Sequence, residues 1–94
     1  MADALSDDVV TTKLAEVPGW EVVEGKLSRE FVFKNFSEAF AFMTRVAMIA
    51  EKLDHHPDWS NSWNKVSIAV VSHDAGGLTD QCFEFATRVN KLVG

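Results

Sequence analysis

Apolar and polar positions along the chain follow two periods, and the switches between them mark out a series of helices and strands. Residues 6–17 predict a short helix: Ser6 can cap it, and Asp7 and Asp8 complement the positive end of the helix dipole. Leu5 and Val10 have the spacing of a hydrophobic staple, and Pro18-Gly19 stops the helix. Trp20, Val22 and Val23 lead to a Glu24-Gly25 turn, and Phe31, Val32 and Phe33 form a second apolar run. Aromatic and β-branched residues around a glycine turn predict an antiparallel hairpin.

The clearest helix covers residues 36–53. Asn35 and Glu38 have capping-box spacing. Phe36, Phe40, Met43, Val46, Ala47, Ala50 and Leu53 recur at the helical period and predict the buried stripe. Phe42 and Ile49 lie off it, and either widen the buried face or meet another copy of the chain. His55-His56-Pro57 should end the helix, because proline disfavours helical geometry in the residue before it. Residues 59–63 predict a short strand. Over residues 65–72, Val66, Ile68 and Val70 alternate with Ser67, Ala69 and Val71, which is the period of a strand. His73-Asp74-Ala75-Gly76-Gly77 reads as a loop. Thr79 caps the last helix, Leu78 and Phe83 form a second staple, and Cys82, Phe85, Ala86, Val89 and Leu92 make its buried face.

The order of elements lacks the repeated crossover of an all-parallel sheet. It predicts an α+β fold: an antiparallel sheet of about four strands with helices covering one face. The length of 94 residues suits a single domain, 1–94, and a domain this small is often reinforced by self-association, as a dimer or tetramer. The formal net charge of -5 argues against direct nucleic-acid binding, which needs a basic face to displace counterions. The single cysteine, Cys82, cannot form an intramolecular disulfide, so a reducing compartment is expected. No apolar run approaches the roughly 20 residues that span a bilayer. Met1-Ala2-Asp3-Ala4 shows no leader pattern. These features predict a soluble cytoplasmic protein with no membrane partner.

Candidate chemistry concentrates in three histidines, all at element boundaries: His55 and His56 where a helix ends, and His73 where a strand runs into a loop. Imidazole, with an ordinary pKa of about 6.5, suits proton transfer near neutrality. A histidine near a helix C-terminus can equally serve the free carbonyls there, and local pattern leaves both readings open. Glu51, Asp54 and Asp74 sit beside the histidines and could orient a ring. A metal site is disfavoured, since neighbouring residues on a helix point about 100° apart and no His-Glu-x-x-His spacing occurs. A phosphate loop and a nucleophile elbow are missing from the pattern. Cys82 has helix-face spacing and reads as a small core residue. Trp59 and Trp63 are expected to share a strand face. They could stack on a planar ligand, but a packing or interface role is the favoured reading.

Glu51-Lys52-Leu53-Asp54-His55-His56-Pro57-Asp58-Trp59, followed by Trp63, resembles the signature of the pterin-4a-carbinolamine dehydratases. Phe42-Met43-Thr44-Arg45-Val46-Ala47, Asn64-Lys65-Val66 and Ser72-His73-Asp74-Ala75-Gly76-Gly77-Leu78-Thr79 also look like that family, as do Gly19-Trp20 and Phe31-Val32-Phe33-Lys34-Asn35-Phe36. The resemblance implies a four-stranded antiparallel sheet with three helices on one side, assembled as dimers or tetramers. It implies His55, His56 and His73 as the catalytic triplet, with Pro57, Ser72, Asp74 and Ala75 lining a pterin and Glu51 and Asp54 as supporting acids. It implies dehydration of 4a-hydroxytetrahydrobiopterin without a metal or other cofactor, in recycling the pterin of aromatic amino acid hydroxylases. Non-catalytic roles on the same fold, as a transcription-factor dimerisation cofactor or assembly factor, would make a protein the partner instead. One departure stands out: many members carry an acidic residue where this chain has Cys82.

Overall fold

The computed structural model describes residues 3–94. Met1 and Ala2, half of the segment read as lacking a leader pattern, lie outside the described residues. The elements run α1 (Asp7–Leu14), β1 (Glu21–Val23), β2 (Lys26–Val32), α2 (Phe36–Leu53), β3 (Asp58–Ser62), β4 (Lys65–Val70) and α3 (Asp80–Val93). All strand pairs are antiparallel, in the order β1-β2-β4-β3. The fold is therefore α+β, as the order of elements predicts. β2 and β4 pair from Leu27↔Val70 to Val32↔Lys65, so the middle of the sheet joins segments separated by all of α2 and β3.

The inner face of the sheet supplies Leu27, Phe31, Val66, Ile68 and Val70. Each alternates with a more exposed neighbour, as the strand period requires. Helix α3 adds Cys82, Phe83, Phe85, Ala86 and Val89, and α2 adds Ala39, Phe42, Val46 and Ala50, all in one core cluster. Trp20 sits edge-on to Phe31 and Phe85, and its indole N–H donates to Asn90 Oδ1 at 2.7 Å. That bond gives the buried indole the polar partner it needs.

Two of the three expected side-chain caps form, while Thr79 occupies the N-cap position of α3 without a side-chain capping bond. Ser6 Oγ accepts from the Val9 N–H, and Asn35 Oδ1 accepts from the Glu38 N–H at 2.9 Å. The Glu38 carboxylate accepts from Lys34 N–H rather than from Asn35, so the capping box is offset by one residue. Glu24 and Gly25 both take positive φ, 51° and 79°, the conformation of a type I′ hairpin turn.

Four expectations are corrected. Helix α1 ends at Leu14 rather than Val17, because Glu16 and Val17 donate to carbonyls three residues back and Pro18 disfavours helical geometry at Val17. Val17 is fully buried just beyond the helix. Strand β2 begins at Lys26, well before the aromatic run, and Phe33 falls beyond its end. On α2 the buried face is rotated: Phe42 is buried, whereas Phe36 and Phe40 are 49% and 56% exposed and Ala47 is exposed. Phe42 packs between Phe31 and Phe33, with ring centroids at 4.7 and 4.8 Å, so the aromatic side of the sheet selects that face. Finally, Trp63 lies in the turn after β3 at φ 49° and is 66% exposed, so it does not share a strand face with Trp59.

Candidate active site

The end of α2 determines where its two histidines go. Asp54 closes the helix in the left-handed conformation (φ 50°, ψ 46°), donating its N–H to the carbonyls of Ala50 and Glu51. The His55 N–H reaches back to Ala50 O at 3.0 Å. A reversal of this kind satisfies the last carbonyls of the helix, and aspartate is among the few side chains that tolerate it. The Gln81 side-chain amide, from α3, donates to the Leu53 carbonyl. After the turn, His55 is only 8% exposed, while His56 faces solvent.

The opposite wall is the loop between β4 and α3. Ser72 organises it: its N–H donates to Gly77 O, its carbonyl accepts from the N–H groups of Gly76 and Gly77, and its Oγ accepts from Ala75 N–H. Gly76 takes φ 74°, a region that favours glycine. At Gly77 a Cβ would lie 2.9 Å from the Ala4 Cβ. The N-terminal segment is bonded to this loop, since Leu5 N–H donates to Leu78 O at 2.8 Å.

Between the walls lies a cleft of about 270 Å³ lined by Asp54, His55, His56, Val71, Ser72, His73, Asp74 and Gln81. The fold thus brings all three histidines to one cavity from two distant parts of the chain. Asp54, Ser72 and Asp74 line it with them. Glu51 is one step removed, its Oε1 being 2.6 Å from His56 Nε2. Pro57 and Ala75 are half-buried beside lining residues but do not line the cleft themselves. Val71 and Gln81 were not anticipated. Val71 reads only as one position in a strand, and Gln81 belongs to no motif; its place follows from how α3 docks on the end of α2.

The three rings have different surroundings. Burial pushes His55 below the ordinary imidazole value, and the nearby His56 and His73 push it the same way. The His55 Nε2 lies 3.3 Å from Cys82 Sγ. Cys82 is fully buried, so it is a core residue as its spacing predicts, and it also touches a histidine of the cleft. His56 is held by Glu51, and His73 is exposed at the loop. Imidazoles on facing walls can take a proton from one side of a bound molecule and give one to the other. Among the described residues, no group of three or more His, Cys, Asp or Glu side chains is placed to hold a metal ion.

A larger concavity, about 480 Å³, lies on the sheet along Glu21, Ser28, Glu30, Asp58, Ser60 and Ser67. It contains no histidine and shares no lining residue with the histidine cleft. Size alone would favour it; proton-transfer chemistry favours the smaller cleft.

Comparisons with known proteins agree on one family. The family model described as pterin 4 alpha carbinolamine dehydratase matches residues 3–92. A Rhodospirillum rubrum protein named "Putative pterin-4-alpha-carbinolamine dehydratase" is 47% identical over the whole of both chains. A Mesorhizobium japonicum protein of the same name is 49% identical, covering 98% of this chain and 96% of its own. A crystal structure described as "transcriptional coactivator/pterin dehydratase from Brucella Melitensis" superposes with a TM-score of 0.93 at 37% identity, covering 98% of this chain and all of that one. With its fold, its histidine motif and its full-length relatives in agreement, the chain belongs to the pterin 4 alpha carbinolamine dehydratase family.

Proposed function

We propose that the protein is a hydro-lyase that converts 4a-hydroxytetrahydrobiopterin to quinonoid dihydrobiopterin and water, recycling the pterin cofactor of aromatic amino acid hydroxylases in the cytoplasm. The observation that carries this reading is the convergence of His55, His56 and His73 on one cleft. The reaction breaks the C4a–O bond, with its electron pair leaving on oxygen. A proton delivered to that oxygen makes water. A proton removed from N5 frees the pair that closes the C4a=N5 bond. No electrons are gained or lost overall, so proton transfer by positioned imidazoles suffices.

His55 and His73 form the acid–base pair, and His56 holds the pterin with Glu51 behind it. Ser72 and Asp74 offer hydrogen-bonding groups to the pterin edge, Pro57 and Ala75 shape the rims, and Asp54 fixes the corner that aims His55. A second copy of the chain covers the outer face of α2, where Phe36, Phe40 and Met48 are exposed, giving a dimer or tetramer.

The test is dehydration of freshly generated 4a-hydroxytetrahydrobiopterin, followed by absorbance. The parent chain should accelerate it, and His55→Ala or His73→Ala should lose about 10²-fold or more in kcat/KM. No acceleration over the spontaneous reaction by folded protein would sink the reading. A second reading, a protein-binding role, draws on the Brucella neighbour described as a transcriptional coactivator. Pterin binding without turnover, together with capture of a defined protein partner, would favour it.

A further inference from the structure

The first turn of α3 spends its capping hydroxyl elsewhere. Thr79 is the N-cap residue, yet its side chain makes no capping bond. Its Oγ1 lies 3.7 Å from Cys82 Sγ, and that sulfur lies 3.3 Å from His55 Nε2. Thr79, Cys82 and His55 are 5%, 0% and 8% exposed, so this row of polar groups is buried, with only its His55 end lining the cleft. Two directions of hydrogen bonding are available. In one, the thiol donates to Nε2, and the ring's lone pair is spent on a buried sulfur that no ligand can reach. In the other, Nε2–H donates to Sγ and the thiol donates to Thr79 Oγ1, which leaves the lone pair on Nδ1. The ring makes no other hydrogen bond among the described residues.

We propose that Cys82 is a positioning residue that holds the His55 ring by Nε2 and thereby makes Nδ1 of His55 the proton acceptor of the dehydration. The inference rests on the dehydratase reading and deepens it by assigning direction. His55 takes the N5 proton, the freed pair closes C4a=N5, and the C4a–O pair leaves on oxygen. His73, across the cleft, supplies the proton that completes water. One proton is taken and one is given.

An uncharged thiol suits an acceptor, because it orients the ring without the pull toward imidazolium that a carboxylate would exert. The surroundings work in the same sense, burial first and then His56 and His73. The other charged groups around the ring are Asp54 at the α2 corner and Asp74 on the facing loop. Glu51 is engaged by His56. From α3, the groups in contact with the ring are Cys82 and the Phe85 ring, neither of them a formal charge.

The test compares the full chain with Cys82→Ala, Cys82→Ser and Cys82→Asp, each checked for native fold by circular dichroism. Cys82→Ala should lose about 10-fold in kcat with KM unchanged, the scale of a lost orienting partner. Cys82→Ser should recover most of that loss, and Cys82→Asp should move the acidic limb of kcat to higher pH. Nitrogen-detected NMR of the free parent should find the His55 proton on Nε2, a preference weakened in Cys82→Ala. A Cys82→Ala enzyme with parental kcat and pH profile, or a parent carrying the proton on Nδ1, overturns the proposal. Should Cys82→Ala fail to fold, the Ser and Asp variants decide it: identical pH profiles for those two also overturn it. A parent that does not dehydrate the pterin removes the acceptor role along with the dehydratase reading, while the NMR tautomer still decides the thiol's hold on the ring.

Discussion

The two walls of the histidine cleft are built differently. At the end of α2 both the backbone and the rings are held: Asp54 closes the helix, Cys82 contacts His55, and Glu51 contacts His56. In the loop after β4 the backbone is equally well bonded around Ser72, but His73 and Asp74 are exposed, and neither makes a side-chain hydrogen bond among the described residues. Order in the backbone and order in the side chain are thus set separately. One wall presents rings already oriented, and the other presents a ring that a ligand must orient on arrival. His73 is exposed, whereas His55 is only 8% exposed.

The largest effect expected from this contrast concerns rescue. His55→Ala and His73→Ala should both lose about 10²-fold or more, but added imidazole should restore turnover only to His73→Ala, measured as kcat against imidazole concentration. Equal rescue of both would erase the distinction between the walls. Next, Glu51→Gln should lower kcat/KM about 10-fold by loosening His56, the scale of a lost orienting partner; an unchanged steady-state value would mean that His56 needs no holding. In the loop, Gly77→Ala should cost about 1 kcal/mol in denaturant unfolding, because its Cβ meets Ala4. Ala4→Gly in the same chain should return that stability, and failure to do so would locate the strain elsewhere.

The smallest effect is on the pH dependence of stability. The folded His55 value lies below the ordinary 6.5, so the unfolded chain binds more protons in the interval between the two values. Stability should therefore fall as pH is lowered through 6.5, level off below the folded value, and show no contribution from this group above 6.5. Thermal unfolding of the parent and His55→Gln across that window checks it, with the variant showing the flatter profile.

Much of this was legible in the chain. The helix starts at Ser6, Asn35 and Thr79 and the central strand of Val66, Ile68 and Val70 could be read because they depend on residues close in sequence; the start of β2 and the place of Trp63 could not. The histidines stood out by lying at element ends. What the pattern did not give was set by contacts between distant segments. Helix α2 carries enough apolar residues for two faces, and only the position of Phe31 and Phe33 selects Phe42 over Phe40. Trp63 has strand-like chemistry but sits in the turn that lets Ser62 pair with Lys65. Gln81 reaches the cleft, and Cys82 reaches the His55 ring behind it, only because α3 packs across the end of α2.

The bond from Leu5 to Leu78, and the close approach of Ala4 to Gly77, have a practical bearing on how the protein is handled. A purification tag at the N-terminal end adjoins a segment bonded to the loop that carries His73, so activity is better assayed without one there. Gly94 lies instead next to Pro18, Arg29 and Asn90, in a hollow that shares no residue with the histidine cleft. A tag carried after Gly94 keeps the loop in its native company.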